Sequence, residues 1–202
     1  GEVQWVVDAD GIRRVGRHGW KAENFDLIHQ SASALAEDMG ISTSINPIGA
    51  DIEVGDEELA DLAFYVEALA IPAGREIDDP LVIAGANLFE SIGCTRCHTP
   101  PELDDLVIYP FTDLLLHDMG PGLADNRPVY SASGSEWRTA PLWGVGLLHE
   151  VNGHISLLHD GRARSVEEAI LWHGGEAKPV TDAFMALTGE DRAAIIAFVE
   201  SR

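Results

Sequence analysis

Cysteine is scarce in this sequence. Its 202 residues hold two, Cys94 and Cys97. A structural zinc site uses four ligands, usually including a second Cys or His pair, and no second cysteine pair exists here. Basic residues are scarce too, with 13 Lys and Arg against 34 Asp and Glu for a net charge of −21. Phosphate binding needs a basic surface, so nucleic acid is excluded as a partner. Basic proteins and divalent cations are permitted, and the plain reading is a soluble, self-repelling surface. No stretch approaches the ~20 uncharged apolar residues of a membrane span, so no membrane span is expected. The chain opens GEVQWVVDADG, with early charge, no apolar signal segment and no initiator Met. It therefore reads as a processed product or an excised fragment. No long alternating stretch points to a sheet.

What is present is helical periodicity. Residues 22–40, AENFDLIHQSASALAEDMG, read as a helix with Ile28, Ala32, Leu35, Ala36 and Met39 on one face and Gly40 as its stop. Residues 41–55 read as a loop around Pro47. A second helix, DEELADLAFYVEALAIP at 56–72, has Asp56 as cap, Leu59, Leu62, Ala63 and Val66 as stripe, and Pro72 as stop. The third, LVIAGANLFESI at 81–92, carries Leu81, Leu88 and Ile92 and runs straight into the cysteine pair. From Thr99 to His154, Gly and Pro predict loops and short helices. Ser165 and Glu168 fit a capping box for SVEEAILWHGG, which Gly174–Gly175 stop. A terminal helix turns Ile195, Phe198 and Val199 inward. The expectation is an all-α chain, a helical domain with long ordered loops wrapped around a bulky prosthetic group.

That group is suggested by CTRCH at 94–98. Cys-x-x-Cys-His is the attachment signature of c-type haem. The two thiols add across the porphyrin vinyl groups, and the adjacent His98 reaches the iron from the proximal side. A thioredoxin-like redox pair would need a βαβ context, which is absent. A plain disulfide leaves His98 unexplained. Covalent haem c implies a periplasmic or otherwise extracytoplasmic bacterial compartment.

For the second axial position, His173 is best placed. Val166, Ala169, Ile170 and His173 follow i, i+3, i+4, i+7, so the imidazole lies on the buried face of its helix. The competing reading is a core histidine bonded to a carbonyl. Met119, in LLLHDMGPG, is the runner-up, and a thioether there would raise the iron's potential; its neighbour His117 is a further candidate. His159 sits in a turn composition and could orient a haem propionate or a loop. Arg138 and Arg162 suit propionates, since a guanidinium meets a carboxylate in bidentate fashion; the alternative is a surface ion pair. Trp137, Trp143 and Trp172 are candidates to pack on the porphyrin.

From CTRCH onward the text resembles the di-haem cytochrome c peroxidase superfamily, which includes the enzyme that matures methylamine dehydrogenase. It is more similar to the di-haem oxidoreductase family of peroxidase-like proteins. The segments carrying the resemblance are FTDLLLHDMGPGLAD (111–125), EWRTAPLWGVGL (136–147), LLHDGRARSVEEAILWHGGEA (157–177) and GEDRAAIIAFVESR (189–202). Upstream, GRHGWKAENFDLIHQSASALAEDMGIST (16–43) fits as well. The resemblance implies a class I cytochrome c-like fold and a distal ligand on the helix after the HDG turn. That position is Met in the peroxidases and Tyr in the maturation enzyme, and it falls on His173 here. A bis-histidine, low-spin haem would follow, with a lowered potential and an iron closed to peroxide.

Family members carry two haem motifs, and this chain has one. The helix at 56–72 looks like the closing helix of a first cytochrome domain, whose motif would lie upstream of Gly1. EDMG at 37–40 and HDMG at 117–120 hint at the same duplication. The resemblance thus divides the chain into residues 1–76, the remnant of an N-terminal cytochrome c-like domain, and 77–202, a C-terminal haem domain. In the superfamily the N-terminal haem generally reacts with peroxide, and the C-terminal haem feeds or stores electrons. The implied partners are the missing N-terminal haem domain and an electron-donor protein or small redox carrier. A calcium ion between domains occurs among relatives; Asp8-Ala9-Asp10-Gly11 is too short to claim as its site. Two functions are expected: the electron-transfer half of a di-haem peroxidase-type enzyme, or a stand-alone mono-haem carrier or sensor.

Overall fold

The computed structural model describes residues 1–100 and 110–202. The expected helix at 22–40 is α1 (Leu27–Met39), which starts where Asp26 accepts a hydrogen bond from His29 N and ends at Gly40 in the left-handed region. Its expected apolar face is only partly used: Ala32 is buried, whereas Ile28 and Met39 are exposed. The second helix, α2 (Asp56–Glu67), begins one residue earlier than a cap at Asp56 would require. Gly55 is the cap, and its N–H is held by the Glu58 carboxylate. Leu59 and Ala63 face inward and pack toward α1.

The core lies between α3 (Pro80–Ser91) and α7 (Gly189–Glu200). Asp79 caps α3 and Pro80 occupies its first turn, where a missing N–H costs nothing. The residues that α3 fully buries are Val82, Gly85 and Phe89; of the expected face, Leu88 and Ile92 pack partly buried against the same core, and Leu81 is exposed. Gly85 is required by contact: a Cβ there would stand 2.0 Å from the Ala194 carbonyl oxygen. From α7, Ile195, Phe198 and Val199 are buried as the periodicity predicts, and Phe184 of α6 (Lys178–Ala186) completes the core.

The all-α, cytochrome c-like expectation is corrected. Besides seven helices, the described residues contain two small antiparallel sheets, so the chain is α/β. β1 (Trp5–Val7) pairs with β2 (Arg13–Val15), and β3 (Leu116–Asp118) with β4 (Glu136–Arg138). Each strand is three residues long, too short to display an alternating pattern. The second sheet also pairs segments about 20 residues apart, which no local pattern announces.

Residues near the N-terminus are fastened to this second sheet. Glu2 and Leu116 exchange backbone hydrogen bonds of 2.8 and 2.9 Å. Buried Lys21 places its ammonium on Asp125 (3.0 Å) and on the Arg127 and Ser133 carbonyls (both 2.8 Å). Two short helices, α4 (Leu148–Asn152) and α5 (Val166–Trp172), complete the order. Among the described residues, no helix is long and apolar enough to cross a membrane.

Candidate functional site

The site begins where α3 stops. Gly93 takes a positive φ of 97°, a conformation glycine adopts without a Cβ penalty. The chain then enters a single 3₁₀ turn, Cys94–Arg96, in which His98 N donates to the Cys94 carbonyl at 3.0 Å. Cys94, Cys97 and His98 therefore share one turn, and both cysteines are free thiols. Cys94 packs against the core, and burial pushes its thiol up to about 12.

His98 turns its Nδ1 to the Phe111 carbonyl at 2.9 Å. A carbonyl only accepts, so the proton sits on Nδ1 and the lone pair on Nε2. His173 repeats the device: at the C-terminal end of α5, its Nδ1 bonds the Ala169 carbonyl at 2.6 Å. This is the carbonyl bond that the core-histidine reading foresees, and it leaves Nε2 available. Among the described residues neither Nε2 has a hydrogen-bond partner. Burial lowers both imidazoles, His98 to about 4, so both stay neutral.

The two ring centres stand 6.5 Å apart, tilted by 48°. An imidazole nitrogen lies roughly 1.2 Å from its ring centre and binds a transition metal at about 2.0–2.1 Å, so two rings sharing one metal stand roughly 6.4 Å apart. The observed separation fits that. Phe89 packs near His98 at 6.2 Å between centroids, and Phe111 meets Phe89 edge-on.

Of the remaining candidates, His117 and Met119 border this site and the others lie farther off. His117 is buried on β3 with both ring nitrogens engaged, Nε2 on Asp113 at 2.8 Å and Nδ1 on Glu176 at 2.9 Å. The Asp113 hydrogen bond, with help from Cys97 and Glu176, holds its pKa up at about 10, so it is an imidazolium at neutral pH. Its Nδ1 also lies 3.6 Å from Cys97 Sγ. Cys97, Asp113 and His117 thus bring ligand-type atoms within 4.8 Å of one another. The Met119 backbone carbonyl lies against Gly174, where an added Cβ would meet it at 2.8 Å.

Arg138 spends its guanidinium on the Gly19 and Thr139 carbonyls (2.8 and 3.0 Å). Arg162 pairs with Asp160, donates to the Gly122 carbonyl at 2.7 Å and lies over Trp172. His159 stacks on Trp137, centroids 3.5 Å apart, with Lys21 on that indole as well. Trp143 and Trp172 are partly exposed. The fold therefore gathers Cys94, Cys97, His98 and His173, and gives Arg138, Arg162 and His159 partners of their own. The sequence reading missed Asp113, Glu176 and the Phe111 carbonyl. Only the i, i+4 spacing of Asp113 and His117 could have hinted at any of them.

The family model described as "Di-haem oxidoreductase, putative peroxidase" matches residues 45–202. Among solved structures, the chain is similar to a Kuenenia stuttgartiensis hydrazine synthase pressurized with 20 bar xenon. The identity is 18% and the TM-score 0.55, over 86% of this chain and 61% of that one. At that identity the likeness is one of fold. Curated proteins give no match.

Proposed function

Because this chain belongs to the di-haem oxidoreductase family, we propose that it is a c-type haem redox protein, the electron-transfer half of a di-haem peroxidase-type oxidoreductase. Haem binding is implied by the family; the covalent mode and the ligand set are the reading advanced here. The observation that carries it is the pair of neutral imidazoles, His98 and His173, at a metal-spanning 6.5 Å, with neither Nε2 hydrogen-bonded among the described residues.

In this reading Cys94 and Cys97 would hold the porphyrin as thioethers, and His98 and His173 would hold its iron. The haem supplies one-electron redox chemistry, and the protein supplies orientation and electrostatics. The Phe111 and Ala169 carbonyls fix the imidazole tautomer. Buried Phe89 and Phe111 keep water from the His98 side. A histidine at both axial positions favours low potential and leaves no open coordination position for peroxide. Peroxide reduction then belongs to a second haem domain, and an electron-donor protein or small redox carrier supplies this one. His117 is not assigned as a ligand, since both its nitrogens are engaged. Covalent attachment would place the protein in a periplasmic or similar compartment.

Pyridine-haemochrome stoichiometry and ferric EPR of the chain, matured in a host with haem-ligation machinery, test the assignment. The expected result is one covalent haem per chain with a low-spin signal. A high-spin signal with exchangeable water would overturn the bis-histidine assignment, and an apoprotein mass would overturn the haem reading. The same reading treats residues 77–202 as the haem domain and 1–76 as the tail of a preceding one.

A further inference from the structure

One segment orients His98, another follows His173 in the chain, and one buried side chain joins the two. The first runs from Pro110 to β3; its Phe111 carbonyl takes the His98 Nδ1 proton, and Asp113 follows two residues later. The second is the turn Gly175–Ala177, separated from His173 by Gly174 alone, which carries Glu176. His117, 6% exposed, bonds both: Nε2 to Asp113 at 2.8 Å and Nδ1 to Glu176 at 2.9 Å.

Each carboxylate is itself anchored. Asp113 accepts from Leu115 N at 2.9 Å, and Glu176 from Asp118 N at 3.0 Å. Backbones also meet at this seam. A Cβ on Gly175 would stand 2.1 Å from the Asp118 carbonyl oxygen, and one on Gly120 would stand 2.9 Å from Gly175 N. Past the seam, Thr181 donates to the His173 carbonyl at 2.7 Å.

We propose that His117 is a positioning residue for the haem ligands, a tie that holds the His98-orienting segment against the turn following His173 and so keeps both imidazoles on the metal. The inference rests on the bis-histidine reading. It makes no use of His117 as a ligand. An ordinary surface ion pair would be solvated and weak, whereas this one is buried at its centre and reaches out to both ligand segments.

The test uses the haem-loaded chain carrying His117→Leu or Glu176→Ala. Carbon monoxide reaches a six-coordinate ferrous haem only after an imidazole leaves, so its association rate reports how firmly the ligands are held. In His117→Leu the covalent haem, read by intact mass, is retained, carbon monoxide binds about tenfold faster, and a high-spin ferric EPR signal appears. Glu176→Ala, at a half-exposed site, gives a smaller change in the same direction. Unchanged rates and spectra in the variants overturn the tie while leaving the haem reading intact. Wild-type protein without the haem mass overturns that reading and the tie with it. Should His117→Leu not fold, Glu176→Ala decides alone.

Discussion

At the scale of single residues, the structure separates histidines that look alike in the text. His98 and His173 are neutral because burial removes the solvent that would support a charge. His117 is charged because carboxylates face both its nitrogens. The shared turn of Cys94, Cys97 and His98, and the place of His173 at the end of its helix, were legible, since both follow from local patterns. The environment of His117 was not, because Glu176 reaches it from 59 residues away. The charge difference has a pH signature. His117 is raised from 6.5 in the unfolded chain to about 10, so its stabilisation is fully present below 6.5 and is lost as pH rises through 10. Asp113 and Glu176 run the other way: burial raises them, but hydrogen bonds from His117 and backbone amides leave both below the ordinary carboxylate range. The Tm difference between wild type and His117→Gln is thus largest at mildly acidic pH and closes toward pH 10. A difference that widened with rising pH would contradict the imidazolium.

At the scale of elements, existence was easier to read than orientation. The helices that periodicity and caps announce all appear near their expected places, whereas α6 was not foreseen; α3 fully buries Val82, Gly85 and Phe89, with the expected Leu88 and Ile92 partly buried against the same core and Leu81 exposed. The discrepancy has a physical cause. Apolar residues occur all round α3, so the stripe does not single out one side, and what decides is Gly85, which lets α7 approach. Gly85→Ala tests this, because its methyl would meet the Ala194 backbone rather than a flexible side chain. A loss of about 2–3 kcal/mol, in the upper range for overpacking, is expected in denaturant unfolding despite alanine's better helix propensity. Stability equal to wild type would show that the two helices can separate without cost. The EDMG and HDMG pair teaches a related lesson. Gly40 and Gly120 both take positive φ, but one closes a helix and the other follows a strand, so a shared tripeptide does not make a shared element.

At the scale of the whole molecule, the sequence was least informative. The two sheets were unseen because three-residue strands carry no period, and the second is built from pairings across long loops. The proposed boundary near residue 76 separates segments that are hydrogen-bonded to each other, through Glu2 on Leu116, Gln4 on the Val129 carbonyl and Arg75 N on the Ser201 carbonyl. Lys21 adds a buried charge to that seam. Limited proteolysis in the connector at 73–79 should therefore nick the chain without separating the pieces. They should co-elute in size exclusion at low salt and part only in denaturant. Free separation on nicking would mean that these contacts contribute little.

The imidazoles at 98 and 173 are steered by peptide carbonyls, not by side chains. Replacing Phe111 or Ala169 alters packing but leaves the acceptor in place, because every amino acid brings the same oxygen. Ring orientation is thus robust to point substitution and is inherited with the path of the main chain. A lineage could exchange Phe111 or Ala169 and keep both rings pointing the same way, so long as the main chain holds its path.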